Sequence, residues 1–146
     1  MPAELTYGLE RLSAFLQVRD SVYDIEWAPG VSYGDVRFKD ELQYSVYNFE
    51  MADIATLWKL FDLHEGEAAR LIAAYAKSKE KPRFPLLPTY DHVLKCSNLF
   101  NTLDSRGAIS VTERVGVIQR VRKLAVGVAH AWVDQQGGAQ QEAAAQ

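Results

Sequence analysis

Cysteine is almost absent: Cys96 is the only one in 146 residues. An internal disulfide is therefore excluded, as is a zinc site built on cysteine pairs. No apolar run reaches the roughly 18 residues that a membrane helix needs. The first residues carry neither the basic nor the apolar region of a signal peptide. No glycine-rich P-loop, dinucleotide fingerprint or serine nucleophile elbow occurs. His64, His92 and His130 form no His-x-x-x-His pair, and no metal site is expected. Neither charge sign dominates, since the net charge is −3, so any contact with RNA would be local. These absences point to a cytoplasmic protein without a membrane partner.

What is present is an ordinary globular composition, 48% apolar and 24% charged, on a chain long enough for one hydrophobic core. Apolar spacing predicts a mainly α protein. A first helix is expected over residues 9–18, followed by a short extended piece carrying Val22, Tyr23, Ile25 and Trp27. Pro29-Gly30 should end that piece in a turn. Ser32-Tyr33-Gly34-Asp35 reads as a loop, and residues 36–49 are ambiguous but lean towards helix. A long helix follows over 52–79, with a kink or break possible at Gly66, which costs about 1 kcal/mol against alanine. The next helix should not begin before Pro88, and Gly107 is placed to end it. Ser110 and Glu113 have the form of a capping box opening the last helix. That helix should turn Val111, Val115, Ile118, Ala125, Val128 and Trp132 inward and stop at Gly137-Gly138. Trp58, Phe61, Leu71 and Phe100 complete the expected core, with Cys96 a small member of it.

Most polar constellations read as ordinary surface. His130, one turn from Asp134, suggests a helix-end pair. Arg114, Arg120, Arg122 and Lys123 form no continuous stripe, because Arg120 and Arg122 point about 200° apart around the axis. They suit a solvated face or subunit contact better than RNA. Asp20, Asp24 and Glu26 read as loop acids rather than magnesium ligands.

The first dozen residues are different. Over 4–8 polar and apolar residues alternate, with Glu4, Thr6 and Gly8 on one side and Leu5 and Tyr7 on the other, as in a half-buried strand. From Leu9 the period becomes helical, with Leu9, Leu12, Phe15 and Leu16 on one face. Gly8 at the switch leaves room for a flat ligand against the backbone. Arg11 then sits in the first helical turn, where a guanidinium can meet a phosphate with two parallel bonds, or simply form a surface salt bridge.

The run TYGLERL over 6–12, followed by DSVYD, SYGDV, YNFE and ISVTER, resembles the alpha subunit of the bacterial heterotetrameric glycyl-tRNA synthetases. The likeness covers nearly all of residues 3–134. Residues 4–12 look like motif 3 of the class II aminoacyl-tRNA synthetases, a strand and helix whose arginine binds ATP. The general motif has glycines at alternate strand positions; here Gly8 matches, and Glu4 and Thr6 stand in the other places, as in glycyl-tRNA synthetases. The resemblance implies an irregular helical bundle preceded by the motif 3 strand of an antiparallel sheet. It divides the chain into 1–18 (motif 3), 19–136 (C-terminal helical domain) and 137–146 (mobile tail).

The resemblance also implies chemistry. Arg11 would be the catalytic, ATP-binding arginine, with Gly8 beneath the nucleotide. Glu4 and Thr6 would bind glycine, Glu4 pairing with its ammonium and Thr6 filling the space a larger amino acid needs. Glu10 would orient a neighbour. ATP is then a substrate and Mg2+ an ion of the complete enzyme. The partners are a beta subunit, a second alpha subunit, tRNA(Gly) and glycine. Motif 1 and the Arg-x-Glu of motif 2 are missing from these residues. The expectation is a C-terminal half, begun with an added Met1 and inactive by itself. The alternative is a non-catalytic helical module for subunit assembly, with the motif 3 likeness a remnant.

Overall fold

The computed structural model describes residues 7–144, with side chains described as far as 137. The fold is mainly α, as expected: five α-helices and a small two-stranded antiparallel sheet among the described residues. The chain divides into two compact units, Met1–Glu50 and Met51–Gln146. The expected motif 3 strand falls largely outside the described residues.

In the first unit, α1 (Leu9–Leu16) begins where the apolar period changes. It ends with Val18 at φ +53°, while Arg19 N–H reaches back to Ala14 O at 2.8 Å and Val18 N–H to Phe15 O at 3.2 Å. This is a Schellman-type cap, built on valine where glycine is usual. The expected extended piece is a 3-10 turn, Val22–Asp24, leading into strand β1 (Glu26–Ala28). Pro29-Gly30 makes a tight turn, with Gly30 at φ +76°, into β2 (Val31–Ser32). The pairing is Glu26 with Ser32 and Ala28 with Val31, with an irregularity between.

The expected loop at Ser32-Tyr33-Gly34-Asp35 is instead the start of α2 (Tyr33–Val46). Ser32 Oγ accepts from Asp35 N–H at 3.0 Å, and Asp35 Oδ2 accepts from Ser32 N–H at 2.8 Å. This reciprocal cap satisfies two otherwise orphaned donors, so polar turn-formers here begin a helix. Gly34 is set by close approach, since a Cβ there would lie 3.0 Å from Tyr23 O. The ambiguous stretch is therefore helix, and a π-helical turn follows at Tyr47–Met51. Tyr23, Tyr33, Phe38 and Trp27 contact one another through Tyr23–Phe38 (5.1 Å), Tyr23–Tyr33 and Trp27–Tyr33 ring pairs.

The second unit is a bundle of α3 (Ile54–Lys77), α4 (Leu86–Ser105) and α5 (Val111–Ala144). Asp53 caps α3 by accepting from Thr56 N–H at 2.8 Å. The helix runs unbroken through Gly66, which is exposed at the surface. Helix α4 starts at Leu86, before Pro88. Within a first turn N–H groups lack intrahelical partners, so the proline sacrifices no bond there. Gly107 ends α4 as expected: φ is +65°, and the N–H groups of Gly107 and Ala108 bond Asp104 O (3.0 Å) and Leu103 O (2.9 Å). The Ser110–Glu113 capping box is present.

Phe61, Leu103, Cys96 and Ala68 are fully buried, among Leu57, Val93, Val117, Leu124 and Val128. Burial pushes the Cys96 thiol up to about 11, which makes it an inert core group, as expected. Phe100 is buried, and Trp58, Leu71 and Ile118 are half-buried. The inward face of α5 matches expectation in part: Val128 is buried and Ile118 and Ala125 pack against the core, but Val117, Leu124 and Ala131 are buried too, whereas Val111 (87%), Val115 (58%) and Trp132 (44%) are exposed. Gly137 and Gly138 do not stop α5; the alanine and glutamine residues beyond them are good helix formers, and the helix reaches Ala144.

Candidate functional site

Of the four residues expected to form the site, Glu4 and Thr6 lie outside the described residues, while Gly8 and Arg11 lie within them. Gly8 is the N-cap of α1, with φ −74° and ψ 105°. Any residue can adopt that conformation, so the backbone does not demand glycine here. Among the described residues, the nearest atoms to a Cβ on Gly8 would be those of the Arg11 stem, at 3.8 Å. The consequence of Gly8 is thus open surface beside the arginine.

Arg11 is the third residue of α1 and is exposed. No ion pair or hydrogen bond of its side chain is present among the described residues. A cation in a first turn opposes the helix dipole by about 0.3–1 kcal/mol when exposed. No side chain caps α1 among the described residues, so its first N–H groups have no side-chain acceptor there. The guanidinium and these donors favour the same kind of ligand, an anion.

Two hydrogen bonds of one residue pair tie the end of α1 to β1. The Gln17 amide pairs with both backbone groups of Glu26: Nε2 donates to Glu26 O at 3.1 Å, and Glu26 N–H donates to Oε1 at 2.7 Å. The Tyr33 pKa is raised, first by the hydrogen bond to Glu41, with the charge of Glu10 a lesser contribution. Glu41 accepts the Tyr23 hydroxyl on one oxygen (2.8 Å) and the Tyr33 hydroxyl on the other (3.0 Å). Sequence spacing marks neither Gln17 nor Glu41, because both bond across turns and element ends that no helical or strand period spans. Leu9, Leu12, Phe15 and Leu16 are all exposed, and α1 buries none of its residues.

The remaining candidates disperse. Among the described residues no three His, Cys, Asp or Glu side chains are placed to hold a metal ion. Asp24 and Glu26 are exposed, as are Arg122 and Lys123. Arg114 pairs with Asp104 at 3.2 Å. Arg120 is turned inward to Asp62 and Glu65 of α3, away from Arg122. The expected His130–Asp134 pair is not formed, because Asp134 Oδ2 accepts from the Tyr75 hydroxyl (2.8 Å) and Lys81 Nζ (2.7 Å). No described helix is long and apolar enough to cross a membrane.

The segments that resemble the synthetase subunits fall at structural corners. YGLERL opens α1, DSVYD leads into the 3-10 turn, SYGDV caps α2, YNFE is the π turn, and ISVTER caps α5. A family model described as the glycyl-tRNA synthetase alpha subunit matches residues 1–137. That span takes in both units, and the chain belongs to the glycyl-tRNA synthetase alpha subunit family.

Proposed function

We propose that this chain supplies the motif 3 edge of a glycine-activating site, in an alpha subunit that works with a beta subunit to charge tRNA(Gly). The observation that carries this reading is Arg11: an exposed guanidinium, unpaired among the described residues, beside a glycine at an uncapped helix start, within the family match. In the proposed reaction the glycine carboxylate attacks the α-phosphorus of ATP, forming glycyl-adenylate and releasing pyrophosphate. Arg11 holds phosphate oxygens and offsets the charge that gathers on them during transfer. Glu4 takes the substrate ammonium, and Thr6 occupies the volume that a larger amino acid needs. Gly8 lets the nucleotide approach the backbone.

The uncovered apolar face of α1 suits a helix that rests on a sheet. On this reading the adenine platform, motif 1 and motif 2 belong to other parts of an alpha subunit, because these 146 residues hold no Arg-x-Glu. Mg2+ would accompany ATP. The described residues provide no three-ligand set for it, and no step is assigned to this chain through the ion.

The test is glycine-dependent ATP–pyrophosphate exchange. A complete alpha subunit with beta subunit should lose on the order of a hundredfold or more with Arg11→Ala, the usual scale for one charge-stabilising donor. The 146-residue chain should show no exchange, alone or with beta subunit. Unchanged exchange in Arg11→Ala would remove the ATP role and favour the assembly-module reading.

A further inference from the structure

The seam between α3 and α4 carries two imidazoles facing each other. His64 Nδ1 and His92 Nδ1 lie 2.8 Å apart, and the ring centroids are 5.0 Å apart. That centroid separation is close to the largest that a 2.8 Å contact between ring atoms permits. The two nitrogens therefore point at one another nearly in line. Rings chelating one ion would aim their lone pairs at a shared third point, which this arrangement does not do. What it requires is a proton: one ring donates Nδ1–H and the other accepts it on an Nδ1 lone pair. Two neutral rings of opposite tautomer satisfy this, and so does one imidazolium with one neutral ring. Two imidazolium rings cannot, because both Nδ1 atoms then carry hydrogen and the charges repel.

We propose that His64 and His92 form a pH-sensitive clasp between α3 and α4, closed near neutral pH and forced open once both rings are protonated. The charged groups around it are few. On α3, Glu67 faces His92 and is held by Arg70 through bonds of 2.7 and 2.6 Å. On α4, Asp91 and Lys95 form a 2.7 Å ion pair beside the rings. On α5, Arg120 is turned to Asp62 and Glu65 and is not among the charges acting on His64. Leu60, Leu94, Asn98 and Leu99 line an open groove beside His64, so the ring lies within reach of solvent.

The His64 pKa is held below the usual histidine value, by burial first and then by His92 and Lys95, with Asp91 pulling the other way. A histidine depressed in this way contributes stability above its unfolded pKa of about 6.5. That contribution is lost as pH falls from there through the folded value. His92 precedes Val93 and His64 lies one turn from Phe61, both buried in the core between α3 and α4, so opening of the clasp should be felt as loosening of that seam.

The experiment is a urea-unfolding series on the full chain from about pH 8 to about pH 5, with His64→Leu/His92→Leu alongside. The wild-type midpoint should fall across the lower half of that range, and the double variant should hold nearly level. Parallel curves would overturn the proposal. Nitrogen-15 NMR of the wild-type imidazoles decides the question even if the variant does not fold. Near neutral pH one of the two rings should carry its proton on Nδ1 and its partner on Nε2. Both rings protonated only on Nε2 would also overturn it.

Discussion

Arg120 of α5 lies over the Phe61 ring of α3, with its guanidinium carbon 4.7 Å from the ring centre. Its nitrogens at the same time donate to Glu65 and Asp62, at 2.9 Å for the Nε–Glu65 and Nη2–Asp62 bonds. The hydrogen bond to Glu65 leads the effects that raise the Arg120 pKa. One side chain thus ties α5 to α3 by stacking, hydrogen bonding and charge. Arg120→Ala should destabilise the second unit by about 1–3 kcal/mol, since the cation–π contact, the packed stem and the ion pairs go together. Arg120→Met keeps the stem and should recover roughly half of that. Urea midpoints decide it, and a neutral Arg120→Ala would show that solvent already screens the bridge.

Arg11 should separate chemistry from stability. It is exposed and has no side-chain bond among the described residues, so Arg11→Ala should not lower the thermal midpoint, and relief of the opposed helix dipole should raise it by up to about 4 °C. Arg11→Lys should restore only part of the exchange activity, because an ammonium cannot make the two-pronged contact. Full recovery with lysine would mean that a point charge is all the site uses.

Tyr75 and Asp134 predict a late phenol titration. Burial first, then the bond to Asp134, pushes the Tyr75 hydroxyl up to about 12. A tyrosine raised in the folded state contributes stability below its unfolded value of about 10, and this is lost as pH rises through the folded value. Asp134 runs the opposite way. Lys81 first and then Tyr75 hold its carboxyl below the usual range. Its contribution is therefore present above about pH 3.9 and fades as pH falls through the folded value. Absorbance titration should show the Tyr75 phenol ionising late, and Asp134→Asn should bring it part of the way back. No change in Asp134→Asn would assign the whole shift to burial.

Val18 is strained without visible compensation. Its φ of +53° suits glycine, and its side chain is 89% exposed, so little packing is lost on removing it. The left-handed conformation costs about 1–2 kcal/mol for a residue with a Cβ. Glycine gives back about 0.5–1 kcal/mol through its freer unfolded state. Val18→Gly should therefore stabilise the first unit by up to about 1 kcal/mol, read as a higher urea midpoint. A lower midpoint would show that Val18 makes a contact that the strain secures.

The helices were legible because apolar residues recur at helical spacing, and the corners because Gly107, Ser110 and Glu113 each announce a specific cap. Where a local signal had two meanings, spacing misled. Ser32 and Asp35 look like a loop until their reciprocal bonds make them a cap. Pro88 breaks a helix interior but not a first turn. Helix α5 carries apolar residues on several sides, so periodicity alone could not select Val117 and Leu124 over Val111 and Val115. Gly8 and Arg11 could be picked out as part of a recognisable run, and the structure accounts for their openness. The tie of α1 to β1 through Gln17, the His64–His92 contact and the Arg120 bridge left no trace in spacing. Each joins residues of different elements whose pairing only the fold determines.

The corner between α4 and α5 bears on folding kinetics. Gly107 and Ala108 close the end of α4 on its own carbonyls, and Ser110 with Glu113 opens α5 on its own donors. Neither cap draws on a distant residue, so this turn can form before any long loop has closed, and local contacts of that kind favour fast folding. The α4–α5 hairpin is then the expected nucleus onto which α3 docks. Ser110→Ala and Gly107→Ala should slow folding about as much as they destabilise, giving φ-values near 1. Truncating Ile72 of α3 should instead mainly speed unfolding.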